Sequence, residues 1–153
     1  MLSAGSRAPE FVLPTLSGET ASLRQMAGSE PVLLAFLKIS CPVCQYTFPF
    51  LERLSASKEL RILGISQDGA AGTTEFCREF SVSFPMALDP QNENYAVSDA
   101  YRITHVPSLF LVEGTTITQA VSGFSRKDLT QLGERFGVAL FQKGEKIPEF
   151  RPG

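Results

Sequence analysis

The sequence predicts an α/β fold with a mixed central sheet covered by helices on both faces. Three observations lead there. The run Val32-Leu-Leu-Ala-Phe-Leu37 is apolar throughout and of strand length, which suits a central strand buried on both sides. Beyond it, strand-like and helix-like stretches alternate as far as Tyr101. The chain then turns to a β-hairpin and a closing helix, so the sheet is expected to mix parallel and antiparallel strands.

Each element has its own reason. Glu10 to Leu13 is a short apolar strand, Leu16-Ser-Gly-Glu-Thr20 a tight turn, and Thr20 to Leu23 the return strand of an N-terminal hairpin. Arg24 to Glu30 is a linker or a single helical turn broken by Gly28-Ser29. After Leu37, Cys41-Pro-Val-Cys44 leads into a helix through about Ser57. Pro42 suits its first turn, and Pro49 should kink it. Leu60 to Ile65 is the next strand. Thr73 or Thr74 is expected to cap a helix running to Phe80. Phe84 to Leu88 is extended, and Asn92 to Tyr101 reads as one amphipathic helix. Ser108 to Val112 and Thr116 to Val121 form a hairpin around Glu113-Gly114. Ser125 caps a last helix over Lys127 to Phe136. Residues 1–153 are expected to make one domain with a core over about 5–139. The polar tail, 140–153, is expected to be loosely held.

Composition narrows the function classes. A net charge of −2 gives no reason to expect nucleic acid or an anionic membrane as a partner. Three cysteines in 153 residues cannot build a disulfide framework, and an odd count leaves one unpaired. No secretory leader or membrane-spanning apolar stretch is visible, so the chain as written is expected to be cytoplasmic. An unseen leader or anchor would instead make it periplasmic or membrane-anchored.

The chemistry concentrates at Cys41-Pro42-Val43-Cys44. Two cysteines separated by two residues, at the end of a buried strand and the start of a helix, read as a redox pair. Free N–H groups at a helix start favour thiolate, the form that attacks disulfides. A second cysteine one turn later can displace the resulting mixed disulfide.

These residues, with Val106-Pro107 ahead of the hairpin, resemble the thioredoxin fold in its three-layer form. Gly5-Ser-Arg-Ala-Pro-Glu-Phe-Val-Leu-Pro14, Ile65-Ser-Gln-Asp68 and Val106-Pro-Ser-Leu-Phe-Leu-Val112 narrow the likeness. Together they resemble the AhpC/TSA-type redoxins and the TlpA/ResA-like thiol–disulfide oxidoreductases. The resemblance implies Cys41 as the exposed nucleophile, Cys44 as the buried resolving thiol and Pro107 as a cis-proline facing them. It also implies that the Val106 backbone meets an extended substrate and that Asp68 takes a proton from Cys44. Partners would be protein thiols and disulfides, or a thioredoxin-like electron donor. No cofactor is needed.

Other readings stay open. Peroxiredoxins share the fold, and in their register Cys44 would be the peroxidatic sulfur of a thiol peroxidase. Against it, Leu37 replaces their proline, Cys41 replaces their threonine, and Pro107-Ser108 has no arginine beside it; Arg102 lies upstream. A redox-gated binding or metal-carrier module is a third class. Zinc would need more ligands than Cys77 and His105 offer, since neither comes in a ligand-spaced pair. Cys77 reads as an inert helix cysteine or a second resolving thiol. His105 is either a loop-exposed residue or a neighbour of Cys41, and Lys38 either a nearby charge or a strand-end lysine. With no tryptophan in the chain, an apolar rim of Tyr46, Phe48 and Phe50 is expected around Cys41.

Overall fold

A computed structural model describes residues 1–153. A hairpin opens the chain, β1 (Val12–Pro14) and β2 (Thr20–Ser22), followed by the one-turn helix α1 (Leu23–Met26). Then come β3 (Val32–Leu37), α2 (Pro42–Leu54), β4 (Arg61–Ser66), α3 (Ala70–Glu79), β5 (Met86–Leu88) and α4 (Ala96–Ala100). A hairpin of β6 (Ser108–Glu113) and β7 (Thr116–Ser122) precedes the short β8 (Phe124–Ser125), α5 (Arg126–Arg135) and β9 (Phe150–Arg151).

The central sheet runs β5-β4-β3-β6-β7. β3, β4 and β5 are parallel, and β6 and β7 join antiparallel, so the expected mixed sheet is present. β3 holds the middle, and all six of its residues are buried. Successive strand side chains point to opposite faces. Leu33, Ala35 and Leu37 therefore pack with Phe48 and Leu51 of α2, Phe76 of α3 and Leu129 and Leu132 of α5. Val32, Leu34 and Phe36 pack on the other face with Phe11, Leu23, Val97 and Tyr101. Each Val, Leu or Phe side chain so removed from water stabilises the fold by about 1.5–3 kcal/mol.

Three expectations are corrected. Thr73 does not cap α3; Gly69 stands at the cap position, and Thr73 lies inside the helix with its hydroxyl on Ser66 Oγ, 2.8 Å away. Asn92 to Tyr101 is not one helix. A 3₁₀ turn at Gln91–Glu93 ends where Asn94 and Tyr95 take left-handed conformations (φ 55° and 51°), which no right-handed helix continues through.

The third correction is the tail, which is docked. Leu140 is buried, and Phe141 packs on Phe50 and Phe124 with ring centroids 5.1 and 6.2 Å away. Arg53 holds Glu145 with two hydrogen bonds of 2.7 and 2.8 Å and also donates to the Leu140 carbonyl. β9 pairs antiparallel with β8. A polar composition suggests a free tail, but Leu140, Phe141 and Ile147 anchor it to the core, and the polar remainder is held by backbone pairs and ion pairs.

Candidate active site

Strand register brings the site together. At the carboxyl end of β3, Phe36 pairs with Ile65 on one side and Ser108 on the other, and Leu37 pairs with Ser66. The turn after β3, the Ser66–Gly69 turn after β4 and the Val106–Pro107 approach to β6 therefore meet at one end of the sheet. Cys41, Cys44, Asp68, Val106 and Pro107 lie on these three segments.

Cys41 is the N-cap of α2, with extended backbone at φ −81°, ψ 115°. Its sulfur accepts the Cys44 N–H at 3.2 Å, so one of the free donors of the first turn is aimed at it. Pro42 occupies the first helical turn, where its missing N–H goes unneeded, and Val43 completes the turn while leaning on the core. Cys41 is half-buried and Cys44 fully buried, both as free thiols. Burial pushes the Cys44 thiol well above the usual range; its hydrogen bond to Cys41 and the nearby Cys41 and Asp68 charges add to this. A protonated, enclosed Cys44 is poorly suited to attack peroxide first, and no arginine hydrogen-bonds to either sulfur.

The Val106–Pro107 peptide bond is cis. Its carbonyl side faces the pair: the Cys41 thiol donates to the Val106 oxygen at 3.3 Å. The Val106 N–H has no partner within the chain. Asp68 is turned toward the same turn, where its Oδ2 accepts the Ile39 N–H at 2.8 Å. Ile39 is held on its other side as well, since Gln45 Nε2 donates to the Ile39 carbonyl at 2.9 Å. The sequence gives Gln45 no marked role; only the folding-back of the Ile39–Ser40 turn puts that carbonyl within its reach.

The remaining candidates separate. His105 is exposed, with Nδ1 3.0 Å from Thr104 Oγ1, and Lys38 is exposed at the end of β3. Cys77 is half-buried on α3 and borders a cavity with Leu16, Phe84 and Met86 that neither Cys41 nor Cys44 lines; burial raises its thiol. No group of three or more His, Cys, Asp or Glu side chains is placed to hold a metal ion. The expected aromatic rim of Tyr46, Phe48 and Phe50 is not what these rings form: Tyr46 packs on Phe50 and Phe124. Phe48 and Phe50 turn into the core because positions 48 and 51, and 50 and 54, share the buried faces of α2. No helix is long and apolar enough to cross a membrane.

A mixed five-stranded sheet with a cysteine pair at the start of a helix and a cis-proline ahead of β6 defines the thioredoxin-like fold. Residues 4–120 match the AhpC/TSA family, and the chain belongs to that family. It is 33% identical over 113 residues to the thiol-disulfide oxidoreductase ResA of Halalkalibacterium halodurans, covering 71% of this chain and 62% of ResA. It is 29% identical over 116 residues to ResA of Bacillus subtilis, covering 72% and 62%. The chain thus spans less than two thirds of the length of these two relatives. Among solved structures, the thioredoxin domain of a Bacteroides vulgatus thiol-disulfide oxidoreductase superposes with TM-score 0.77 at 26% identity, covering 89% of this chain and 99% of that domain. A thiol:disulfide interchange protein from Bacteroides sp. shares the fold, with TM-score 0.77 at 22% identity over 94% of this chain and 95% of that one.

Proposed function

We propose that this chain is a thiol–disulfide oxidoreductase that exchanges the Cys41/Cys44 dithiol with disulfides of other proteins. The observation that carries the reading is the asymmetry of the pair. Cys41 is reachable and receives a helix N–H, while Cys44 is enclosed and protonated one turn behind it. The family and the names of the relatives support the same chemistry.

In the reducing direction, Cys41 thiolate attacks one sulfur of a substrate disulfide. That S–S bond breaks, a mixed disulfide forms, and the first substrate thiolate leaves and is protonated by solvent. Cys44 then loses its proton, for which Asp68 is the proposed acceptor, and attacks Cys41 Sγ. The Cys41–Cys44 disulfide closes, the second substrate thiolate departs, and two electrons have passed to the substrate. A thioredoxin-like donor, or any dithiol of lower potential, restores the pair. Val106 and Pro107 are the proposed docking edge, where the unpaired Val106 N–H meets an extended peptide.

Two single variants test this. Cys41→Ser is expected to abolish insulin-disulfide reduction, and Cys44→Ser to accumulate mixed disulfides visible by mass spectrometry. Full activity in Cys41→Ser overturns the reading. So does peroxide consumption that needs Cys44 and survives loss of Cys41, or stoichiometric copper or zinc binding with no exchange at all. Equilibration with glutathione then gives the direction. A potential near about −270 mV marks a reductant and one near about −120 mV an oxidant.

A further inference from the structure

The docked tail approaches the same Val106 carbonyl that the Cys41 sulfur touches. After Glu149 pairs with Arg126 through its backbone oxygen (3.0 Å) and its carboxylate (2.9 Å), β9 runs along β8 and crosses Gly123. Gly123 has φ +74°, and a Cβ there would stand 2.5 Å from the Arg151 oxygen and 3.1 Å from the Gly153 nitrogen. Only a glycine lets the segment pass so close. The Arg151 guanidinium lies over the Tyr46 ring, 4.5 Å from its centroid, two residues beyond Cys44. At Gly153, a Cβ would stand 2.4 Å from the Val106 carbonyl oxygen and 3.4 Å from His105 Cβ. The oxygen that receives the Cys41 thiol is therefore also bordered by Gly153.

We infer that residues 150–153 form a wall of the approach to Cys41 and select substrates by bulk. Small disulfides reach the sulfur with the wall in place. A folded protein's disulfide, which must bring an extended backbone alongside Val106, reaches it when the wall lifts. The hold on the segment suits such a role. β9 contributes two residue pairs, Phe150 is 56% exposed, and Arg151 and Gly153 are exposed, so lifting removes little apolar surface from contact. The inference rests on the exchange chemistry proposed above for its substrates, but not for the presence of the wall.

The test compares the unaltered chain with Arg126→Ala, which releases the Glu149 carboxylate and the Ile147 carbonyl and keeps the backbone bond, and with Gly153→Val, whose side chain cannot share space with the Val106 carbonyl. All carry Cys77→Ser. Alkylation by iodoacetamide reports bare access to Cys41, and alkylation by a maleimide on a long polyethylene glycol chain reports bulky access. Both variants are expected to raise the bulky-to-small rate ratio roughly tenfold. The ratio of insulin to hydroxyethyl disulfide reduction is expected to move the same way. An unchanged alkylation ratio in both variants overturns the wall, even when exchange proceeds. A shifted alkylation ratio in a chain that reduces neither disulfide keeps the wall and overturns the exchange reading.

Discussion

Two segments meet at the Val106 carbonyl, and they are held in opposite ways. The turn from Lys38 to Cys41 is fastened through its backbone: Ile39 N–H to Asp68, Ile39 carbonyl from Gln45, Cys41 N–H to the Lys38 carbonyl, and Gln45 N–H to the Cys41 carbonyl. Behind it stands the most buried strand of the molecule. The segment from Gln142 to Gly153 is fastened by side chains that water still reaches, Arg53 to Glu145 and Arg126 to Glu149, and by a two-residue strand pair. From this burial, the parts that position the sulfur are expected to open last and the tail first.

Loosening the turn should cost the most. Asp68→Ala leaves the Ile39 N–H without its partner and is expected to cost about 1–3 kcal/mol, read from urea unfolding. Asp68→Asn keeps an acceptor oxygen and should recover most of that stability. If Asn behaves as Ala does, the carboxylate's charge rather than its hydrogen bond holds the turn, and the contrast between the two segments weakens.

A smaller effect is expected from the tail. Arg53→Ala removes both bonds to Glu145 and the one to the Leu140 carbonyl. Amide hydrogen exchange at Gln142 and Glu145 should quicken roughly tenfold, while exchange at Ile39 stays as it was. Equal acceleration at both places would mean that the two segments open as one unit.

The smallest effect is an acid one. Hydrogen bonds from Arg53 first, and then from the Gln142 N–H, hold the Glu145 carboxyl down to about 2. A carboxyl depressed in the folded chain contributes stability above its unfolded value, about 4.3, and loses it as pH falls through the folded value. Amide resonances of Gln142 and Glu145 should therefore be constant from neutral pH to about 4 and shift only below about 3, as pH falls through the folded value. A transition near neutral pH would assign the hold to some other group.

What could be read from the sequence follows from how local each cause is. Val32–Leu37 is legible residue by residue, because a strand buried on both faces leaves an unbroken apolar run. Ser125 is legible as the cap of α5, where its hydroxyl accepts the Asp128 N–H. Cys41 and Cys44 are legible as a pair from their spacing, but the depth of Cys44 depends on strands far along the chain. The break at Asn94 and Tyr95 lies in backbone conformations that tyrosine rarely adopts, so its sequence reads as helix. The docking of the tail was hidden for a different reason. Arg53 and Glu145 are 92 positions apart, and the close crossing at Gly123 leaves no periodic mark.

The N-terminal stretch has a consequence beyond the redox pair. On one side, Gly5 and Ala8 donate to Ile117 and Thr115, Ile117 donates back to Ser6, and Arg7 bridges Thr116. On the other side, Leu16 donates to Met86 and Thr15 bridges Ala87. These are contacts with β7 and β5, the two outer strands of the sheet. One stretch of about a dozen residues thus bonds to the start of β7 and to β5, covering part of both open rims, whose unpaired N–H and C=O groups can template pairing with another molecule. Covering strand edges in this way is a general device against edge-to-edge pairing of sheets.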